Sequence, residues 1–205
     1  MDAMLLKKFG DIGYKSSILI VYSHWEGHFK FCASQLLDFI SDGIKRKIFR
    51  WTDIRPDIRQ RILFCNYRRS SISGQSQETF ISYLNALNDD RYAGALAAKD
   101  EVIMIDDNLN SSRAEAICRN FGLDCSWFIL KKVIIDERLL EHRNAIAHGA
   151  RTLRSGDEMD FSDDTVTKTI EEVRMLIREC KNRFENALVE KSFLERRAPH
   201  IVAKR

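Results

Sequence analysis

Proline is almost absent from this chain, and its scarcity constrains the fold more than any other feature of the sequence. Only Pro56 and Pro199 occur among the 205 residues, and both lie outside the long stretches in which apolar residues recur at helical spacing. Proline breaks helices, so these stretches are free to form long ones. A chain of this length suits one hydrophobic core. We therefore predict a single all-α domain over residues 1–195, followed by a frayed basic tail over residues 196–205.

The longest apolar stripe predicts a first helix over Tyr14–Asp42, with Gly43 as its stop. The stripe consists of Ile18, Tyr22, Trp25, Phe29, Cys32, Leu36 and Ile40. A second helix is expected over Ser76–Leu87. Between residues 88 and 107 the pattern fits a helical turn and a short extended piece, and it does not decide between helix and strand. The last long helix is expected to open at Ser162, whose hydroxyl and following acidic residues suit a helix N-terminus.

A short helix and a motif helix are predicted in the middle of the chain. The short one is expected to begin at Ser111 or Ser112 and to end at Asn120, before Gly122. Asp124 would then cap the motif helix, which we expect to run over Ser126–His148.

The motif helix ends on the stretch DERLLEHRNAIAHG, Asp136–Gly149. On a helical wheel of ~100° per residue, Arg143 falls inside an apolar arc. The arc consists of Ile135, Leu139, Leu140, Ile146 and Ala147. Burying a guanidinium is costly unless it is paired, so Arg143 implies a carboxylate partner, a polar cavity or a bound phosphate. Asn144 and His148 lie four residues apart along the edge of the arc.

Glu26 lies inside the apolar arc of the first helix. A core-facing carboxylate and a core-facing guanidinium suggest each other as partners, so we expect Glu26 and Arg143 to be in contact or joined through one water. Three roles for Glu26 stay open: an anchor for Arg143, a participant in proton transfer, and a carboxylate whose pKa is raised by burial.

Arg143 and His148 project ~140° apart on the same wheel. They cannot grip one atom from a single rigid helical face. Either the long arginine side chain sweeps round the helix, or a two-fold partner brings a second motif opposite the first.

The pattern RNAIAH at residues 143–148, followed by glycine, resembles the motif of the HEPN superfamily (higher eukaryote and prokaryote nucleotide-binding domains). The segments YSHWEGHFK, Tyr22–Lys30, and DNLNSSRAEAICRNFGLD, Asp107–Asp124, resemble the first helix and the pre-motif segment of its toxin-like prokaryotic branch. The resemblance covers roughly residues 14–190. It implies an all-α, HEPN-type up-and-down helical bundle, with a basic helical insertion between the first and middle helices.

The resemblance also implies a homodimeric, metal-independent endoribonuclease that acts as a toxin or defence effector, with an antitoxin protein as a possible partner. Arg143 would bind the phosphate, His148 would transfer a proton, and Asn144 would orient the imidazole or contact RNA. Attack by a 2′-hydroxyl would leave a 2′,3′-cyclic phosphate. The alternative is a non-catalytic HEPN module that binds nucleotide, RNA or a partner protein. From the residues alone, His148 could simply favour the helix dipole and Arg143 could be a paired core cation.

Positive charge is concentrated in residues 44–75, which hold nine Lys/Arg and two Asp, a net +7 in a chain of net charge +3. Such asymmetry indicates a polyanion partner, although a solvated basic face is an equal alternative. Trp51 and Tyr67 are candidates for stacking on unpaired bases. The predicted RNA-binding residues are Lys45, Arg46, Arg59, Arg61, Arg68 and Arg69, together with Arg151 and Arg154 beside the end of the motif.

Several classes of function are not supported. The five cysteines form no CxxC pair, which favours reduced structural thiols over disulfides or zinc. His24 and His28 lack a third ligand of suitable spacing, so neither a metal nor another cofactor is predicted. No signal peptide and no apolar window of ~20 residues is visible, which predicts a cytoplasmic protein without a membrane partner. No glycine-rich phosphate loop or GxSxG elbow appears.

Overall fold

A computed structural model describes residues 3–71, 77–90, 103, 108–124, 126–149 and 162–195. For residues 3–11, 68–71, 77, 79 and 163 it describes the backbone alone. Its helices are α1 (Ala3–Lys45), α2 (Pro56–Ser71), α3 (Gln77–Ala86), α4 (Ser111–Asn120), α5 (Ser126–Leu130), α6 (His142–Ala147) and α7 (Asp163–Glu190). A π-helical segment, Val133–Glu141, lies between α5 and α6, and a 3₁₀ turn, Trp51–Asp53, precedes α2. The predicted all-α bundle is confirmed.

The core forms where α1, α7 and the helix that carries the motif meet. The predicted stripe of α1 is buried, with Trp25 and Phe29 fully so. The Phe29 ring lies edge-on to Phe128, at 6.0 Å between centroids, and to Phe184, at 5.7 Å. Edge-to-face packing of this kind is favourable beyond the area it buries. The aromatic contacts therefore fix α1, α5 and α7 against one another.

The helix that carries the motif runs antiparallel to α1 and α7. Its beginning contacts α1 at Phe29 through Phe128, whereas its end contacts α1 at Tyr22 through Arg143. Arg138 donates to both carboxylate oxygens of Glu172 on α7, at 3.0 and 3.1 Å. The end of the motif thus lies beside the N-terminal half of α1.

The bounds of α1 differ from the prediction. The helix begins at Ala3 instead of Tyr14 and runs past Gly43 to Lys45. A Cβ at Gly43 would overlap the Phe49 ring, so this glycine is explained by close packing and is not a helix stop. The chain reverses at Lys47, which has a left-handed φ of 58°.

The basic insertion lies between α1 and α4, as predicted. Ile54 forms an isolated antiparallel bridge with Leu194, and the Arg55 N–H donates to the Phe193 carbonyl at 3.0 Å. These contacts tie the start of α2 to the segment after α7. On the far half of α2, Tyr67 packs edge-on against Phe80 of α3, with centroids 5.3 Å apart. The insertion is therefore an integral part of the bundle.

The predicted caps at Ser162 and Gly122 are confirmed, whereas the cap predicted at Ser111 or Ser112 is wrong. Ser162 accepts from the Thr165 N–H, and Gly122 follows α4 with a φ of 71°. Asn110, rather than Ser111 or Ser112, caps α4, accepting from the Arg113 N–H at 2.8 Å. The Ser111 N–H instead donates to Asp136 of the π-helical segment at 2.7 Å. Asp136 thereby joins the start of α4 to the motif helix.

The π-helical segment was not predicted. A π-helix closes wider turns than an α-helix, so a continuous wheel of ~100° per residue loses its phase across Val133–Glu141. Ile135 and Leu139 are fully buried, as predicted, but Ile146 is only half-buried and Ala147 is exposed. The end of the motif helix is less covered than its sequence pattern indicates.

Most of residues 88–107 and all of 196–205 lie outside the described residues, so the expectations for these segments stay predictions. None of the described helices contains a stretch long and apolar enough to cross a membrane.

Candidate functional site

Arg143 is half-buried between α6 and α1. Its guanidinium carbon lies over the Tyr22 ring, 5.4 Å from the ring centroid, which is a cation–π contact. Its Nη1 donates to the side-chain oxygen of Asn144 at 2.9 Å. Among the described residues no carboxylate pairs with Arg143 and only one of its five N–H donors is engaged. Within the described part of the chain, the guanidinium is held in place while most of its donors stay available.

Asn144 connects the motif to the segment before α4. Its Oδ1 accepts from Arg143 and also from the Asn108 amide at 3.1 Å. The accepting oxygen therefore faces two donors, which fixes the orientation of the amide. Asn144 lies beside the guanidinium and, among the described residues, its side chain does not contact His148.

Glu26 does not form the direct pair with Arg143 that we predicted. Its Oε1 accepts from Lys30 at 2.7 Å, and its Oε2 accepts from the Tyr22 hydroxyl at 2.6 Å. Both partners lie four residues away on the same helix, which is the spacing at which helical side chains meet. Among the described residues, Glu26 is linked to Arg143 through Tyr22, and a link through one water stays a prediction.

The protonation states of this pair follow from their contacts. Burial raises the pKa of the Glu26 carboxyl, but hydrogen bonds from Lys30 and Tyr22 outweigh it and hold the pKa below its usual range. Burial and the hydrogen bond to Glu26 raise the pKa of the Tyr22 hydroxyl. At neutral pH Glu26 is therefore a carboxylate and Tyr22 is a protonated donor. Two of the roles left open for Glu26, a carboxyl group with a raised pKa and a proton donor, are not supported.

His148 lies at the exposed end of the motif helix. Its backbone N–H donates to the Asn144 carbonyl at 3.0 Å, and Gly149, with a φ of 67°, ends the helix. Among the described residues the imidazole has no hydrogen-bond partner, and it does not contact Arg143. The regular α6 therefore leaves Arg143 and His148 on different faces, as the spacing predicted.

His142 shows how the π-helical segment ends. Its Nδ1 lies 3.1 Å from the carbonyl oxygen of Glu137, five residues earlier. The imidazole thus packs beside a backbone carbonyl of the π-helical segment, whose turns are wider than those of an α-helix. This geometry accords with a structural histidine next to the motif.

Several predicted RNA-binding cations have internal roles. Arg59 is only 5% exposed and donates to the Leu87 carbonyl, with Glu195 3.7 Å away, so its prediction as an RNA contact is wrong. Arg61 is half-buried beside α4. The +7 charge of the insertion, which already includes Asp53 and Asp57, is also partly neutralised from outside, because Asp90 lies 3.5 Å from Arg50.

The remaining predicted cations differ in position. Lys45 and Arg46 are exposed, but Lys45 is 23 residues beyond Tyr22 and so about 35 Å further along α1. Arg68 and Arg69 lie on the last turns of α2, and their side chains are outside the description, as are Arg151 and Arg154 entirely.

The two candidates for base stacking are both packed internally. Trp51 is 1% exposed and donates its indole N–H to the Ala86 carbonyl at 2.9 Å, which excludes it as a stacking platform. Tyr67 is half-buried against Phe80 and Tyr83.

Two residues around Arg143 were not predicted from the sequence. Tyr22 was assigned only to the buried stripe of α1, although its spacing of four from Glu26 indicates that the two side chains can meet. Asn108 lies in a segment without periodicity, and no signal in the sequence places it against Asn144. Both contacts depend on tertiary structure.

The fold and the site together define a class of protein: an all-α bundle whose central helix ends on an arginine, a polar residue and a histidine. A family model described as RiboL-PSP-HEPN matches residues 6–186, and the chain belongs to this HEPN family. Membership indicates a nuclease or RNA-related role. No curated protein and no solved structure matched the chain.

Proposed function

We propose that the protein is a metal-independent endoribonuclease that cuts RNA through attack of a 2′-hydroxyl on the adjacent phosphate. The observation that carries this proposal is the half-buried Arg143, which Tyr22 and Asn144 fix while most of its donors have no partner among the described residues, together with an exposed imidazole at the C-cap of the same short helix. A planar guanidinium fork matches two phosphate oxygens, and an imidazole exchanges protons near neutral pH. A toxin or defence role in the cytoplasm, with an antitoxin as partner, extends the same proposal.

The chemistry assigns one role to each group. The Arg143 fork binds the scissile phosphate and stabilises the negative charge that builds on its oxygens. The His148 imidazole transfers the proton between the attacking or leaving oxygen and solvent. The products are a 2′,3′-cyclic phosphate and a free 5′-hydroxyl.

The direct test is to incubate purified protein with total RNA in EDTA, beside an Arg143→Ala/His148→Ala double variant. We expect the wild type alone to cut, and the new 3′ ends to resist ligation until the cyclic phosphate is opened and the resulting phosphate is removed. Cutting that requires Mg²⁺, or equal cutting by the double variant, would contradict the mechanism. Binding of RNA or nucleotide without cutting would favour the non-catalytic HEPN module.

We further propose that the active form is a homodimer. Arg143 and His148 lie on different faces of α6, and a second motif placed opposite would complete the pair. The half of α1 beside the motif also keeps the large apolar side chains of Ile12 and Ile20 exposed, at 61% and 56%. We expect sedimentation to report twice the chain mass of 23.9 kDa. A monomer with full activity at nanomolar concentration would argue against a composite site.

Arg68 and Arg69 stay our proposed contacts with the RNA backbone, together with Arg151 and Arg154. For single strands, log K falls with log salt at a slope of about −0.7 per neutralised phosphate, so replacing Arg68 and Arg69 with alanine should make the slope shallower by ~1.4. Lys45 and Arg46 were also predicted as RNA contacts, but Lys45 lies about 35 Å from Tyr22 along α1, so we propose that this pair is solvated and makes no phosphate contact. Lys45→Ala/Arg46→Ala, which removes the same charge, is therefore the matched control. If both double variants change the slope equally, Arg68 and Arg69 contribute only the general attraction of a basic surface for RNA.

A further inference from the structure

Tyr22 lies at the point where three parts of the site meet. It belongs to α1, its hydroxyl accepts from the Leu109 N–H at 2.7 Å, and its ring lies under Arg143 of α6. The residue is 3% exposed, so these contacts replace water at almost every face of its side chain. No other described side chain contacts α1, α6 and the segment before α4 in this way.

We propose that Tyr22 is the positioning residue of the site, through a ring that holds the Arg143 guanidinium and a hydroxyl that fixes the segment carrying Asn108. The proposal rests on the proposed function for its kinetic consequences, whereas the positioning itself is a property of the folded protein. Tyr22 does not touch the substrate and takes no part in proton transfer.

The ring acts on Arg143 directly. A guanidinium over an aromatic face is confined to one plane, because the attraction is greatest when the cation lies over the ring. The Asn144 hydrogen bond then fixes rotation of the fork within that plane. Together the two contacts hold the fork in one position, and the donors that have no partner among the described residues stay available to a phosphate.

The hydroxyl acts on Asn144 through the neighbouring segment. It accepts the Leu109 N–H and donates to Glu26, and the carboxylate is in turn held by Lys30. Asn108, the residue before Leu109, donates to the same Asn144 oxygen that Arg143 uses. The Tyr22 hydroxyl therefore sets the position of Asn108, and Asn108 helps to set the position of Asn144.

The two groups can be separated by substitution. Tyr22→Phe keeps the ring and removes the hydroxyl, and the nearby Glu26 carboxylate can take over the Leu109 N–H. Tyr22→Leu removes the ring as well. Phe29→Leu is the matched control, because it shortens a fully buried aromatic on the same stripe whose ring contacts are Trp25, Phe128 and Phe184 and not the motif.

The kinetic arm measures kcat and KM on an RNA oligonucleotide that the wild type cuts. Misplacement of a substrate-positioning group by an ångström can cost on the order of 10²-fold, so we expect Tyr22→Leu to lower kcat by about that factor with a smaller change in KM. Tyr22→Phe should lower kcat by only about five-fold, the value of one net hydrogen bond. Phe29→Leu should lower the melting temperature without lowering kcat at a temperature where it is folded.

The second arm needs no activity. The Arg143 Nε–Hε resonance, assigned by its loss in Arg143→Lys, should carry a ring-current shift in the wild type and in Tyr22→Phe, and should lose it in Tyr22→Leu. An unchanged resonance in folded Tyr22→Leu, or equal kcat values for Tyr22→Leu and Phe29→Leu, would overturn the proposal. If the wild type cuts no RNA, the proposed function fails, and the resonance still decides whether Tyr22 positions Arg143.

Discussion

Replacing His148 with alanine is expected to lower the rate of RNA cutting by ~10² to 10⁴-fold, the range typical of a positioned general acid or base. The fold should be unaffected, because the imidazole is exposed and has no hydrogen-bond partner among the described residues. The backbone N–H of residue 148 can still donate to the Asn144 carbonyl in the variant. Cleavage rates in EDTA, measured beside thermal unfolding curves, check both parts of the expectation.

His142→Ala is the matched control for this substitution. His142 is the first residue of α6, which ends just before His148, but its imidazole is half-buried and contacts the Glu137 carbonyl of the π-helical segment. We expect the control to cut RNA at nearly the wild-type rate and to unfold at a lower temperature. The assignment of His148 as the proton-transfer group would fail if His148→Ala cut as fast as His142→Ala.

The core of the bundle could be predicted because its pattern is local. Ile18, Trp25 and Phe29 recur at helical spacing on α1, and all three are buried. Gly43 is a position that the local sequence pattern could not predict. A glycine near the end of an apolar stripe fits a helix stop, but the position is decided by the Phe49 ring, which reaches it only after the chain has reversed at Lys47.

The site was predicted in part, for a related reason. Helical spacing alone placed Arg143 at a core-facing position and separated it from His148. It could not choose the partner of Arg143, because Glu26 has two competing donors on its own helix, Tyr22 and Lys30, both at spacing four. The pattern of charges likewise could not distinguish the buried Arg59 from solvated cations. The acceptor of Arg59 is the Leu87 carbonyl, which lies 28 residues further along the chain.

Arg143→Ala is expected to lower kcat by about 10²- to 10³-fold, as when one donor to a developing oxyanion is removed. The substitution takes away a side chain held by Tyr22 and Asn144 that can form two parallel hydrogen bonds to a phosphate. Arg143→Lys keeps the charge but not the planar fork, so we expect it to recover little of the lost rate. The measurement is kcat for each variant on one RNA oligonucleotide, under conditions where the proteins are folded.

The salt dependence of RNA binding separates phosphate contact from proton transfer. Loss of one phosphate contact should make the slope of log K against log salt shallower by about 0.7 in Arg143→Ala, whereas His148→Ala should leave that slope unchanged. Arg138→Lys is the control, because Arg138 lies on the same motif helix but its guanidinium is paired with Glu172 of α7. A wild-type kcat in Arg143→Lys would show that residue 143 needs only a positive charge and not the planar fork. Equal slopes for Arg143→Ala and Arg138→Lys would remove Arg143 from the phosphate, and the orientation imposed by Tyr22 and Asn144 would then serve the fold alone.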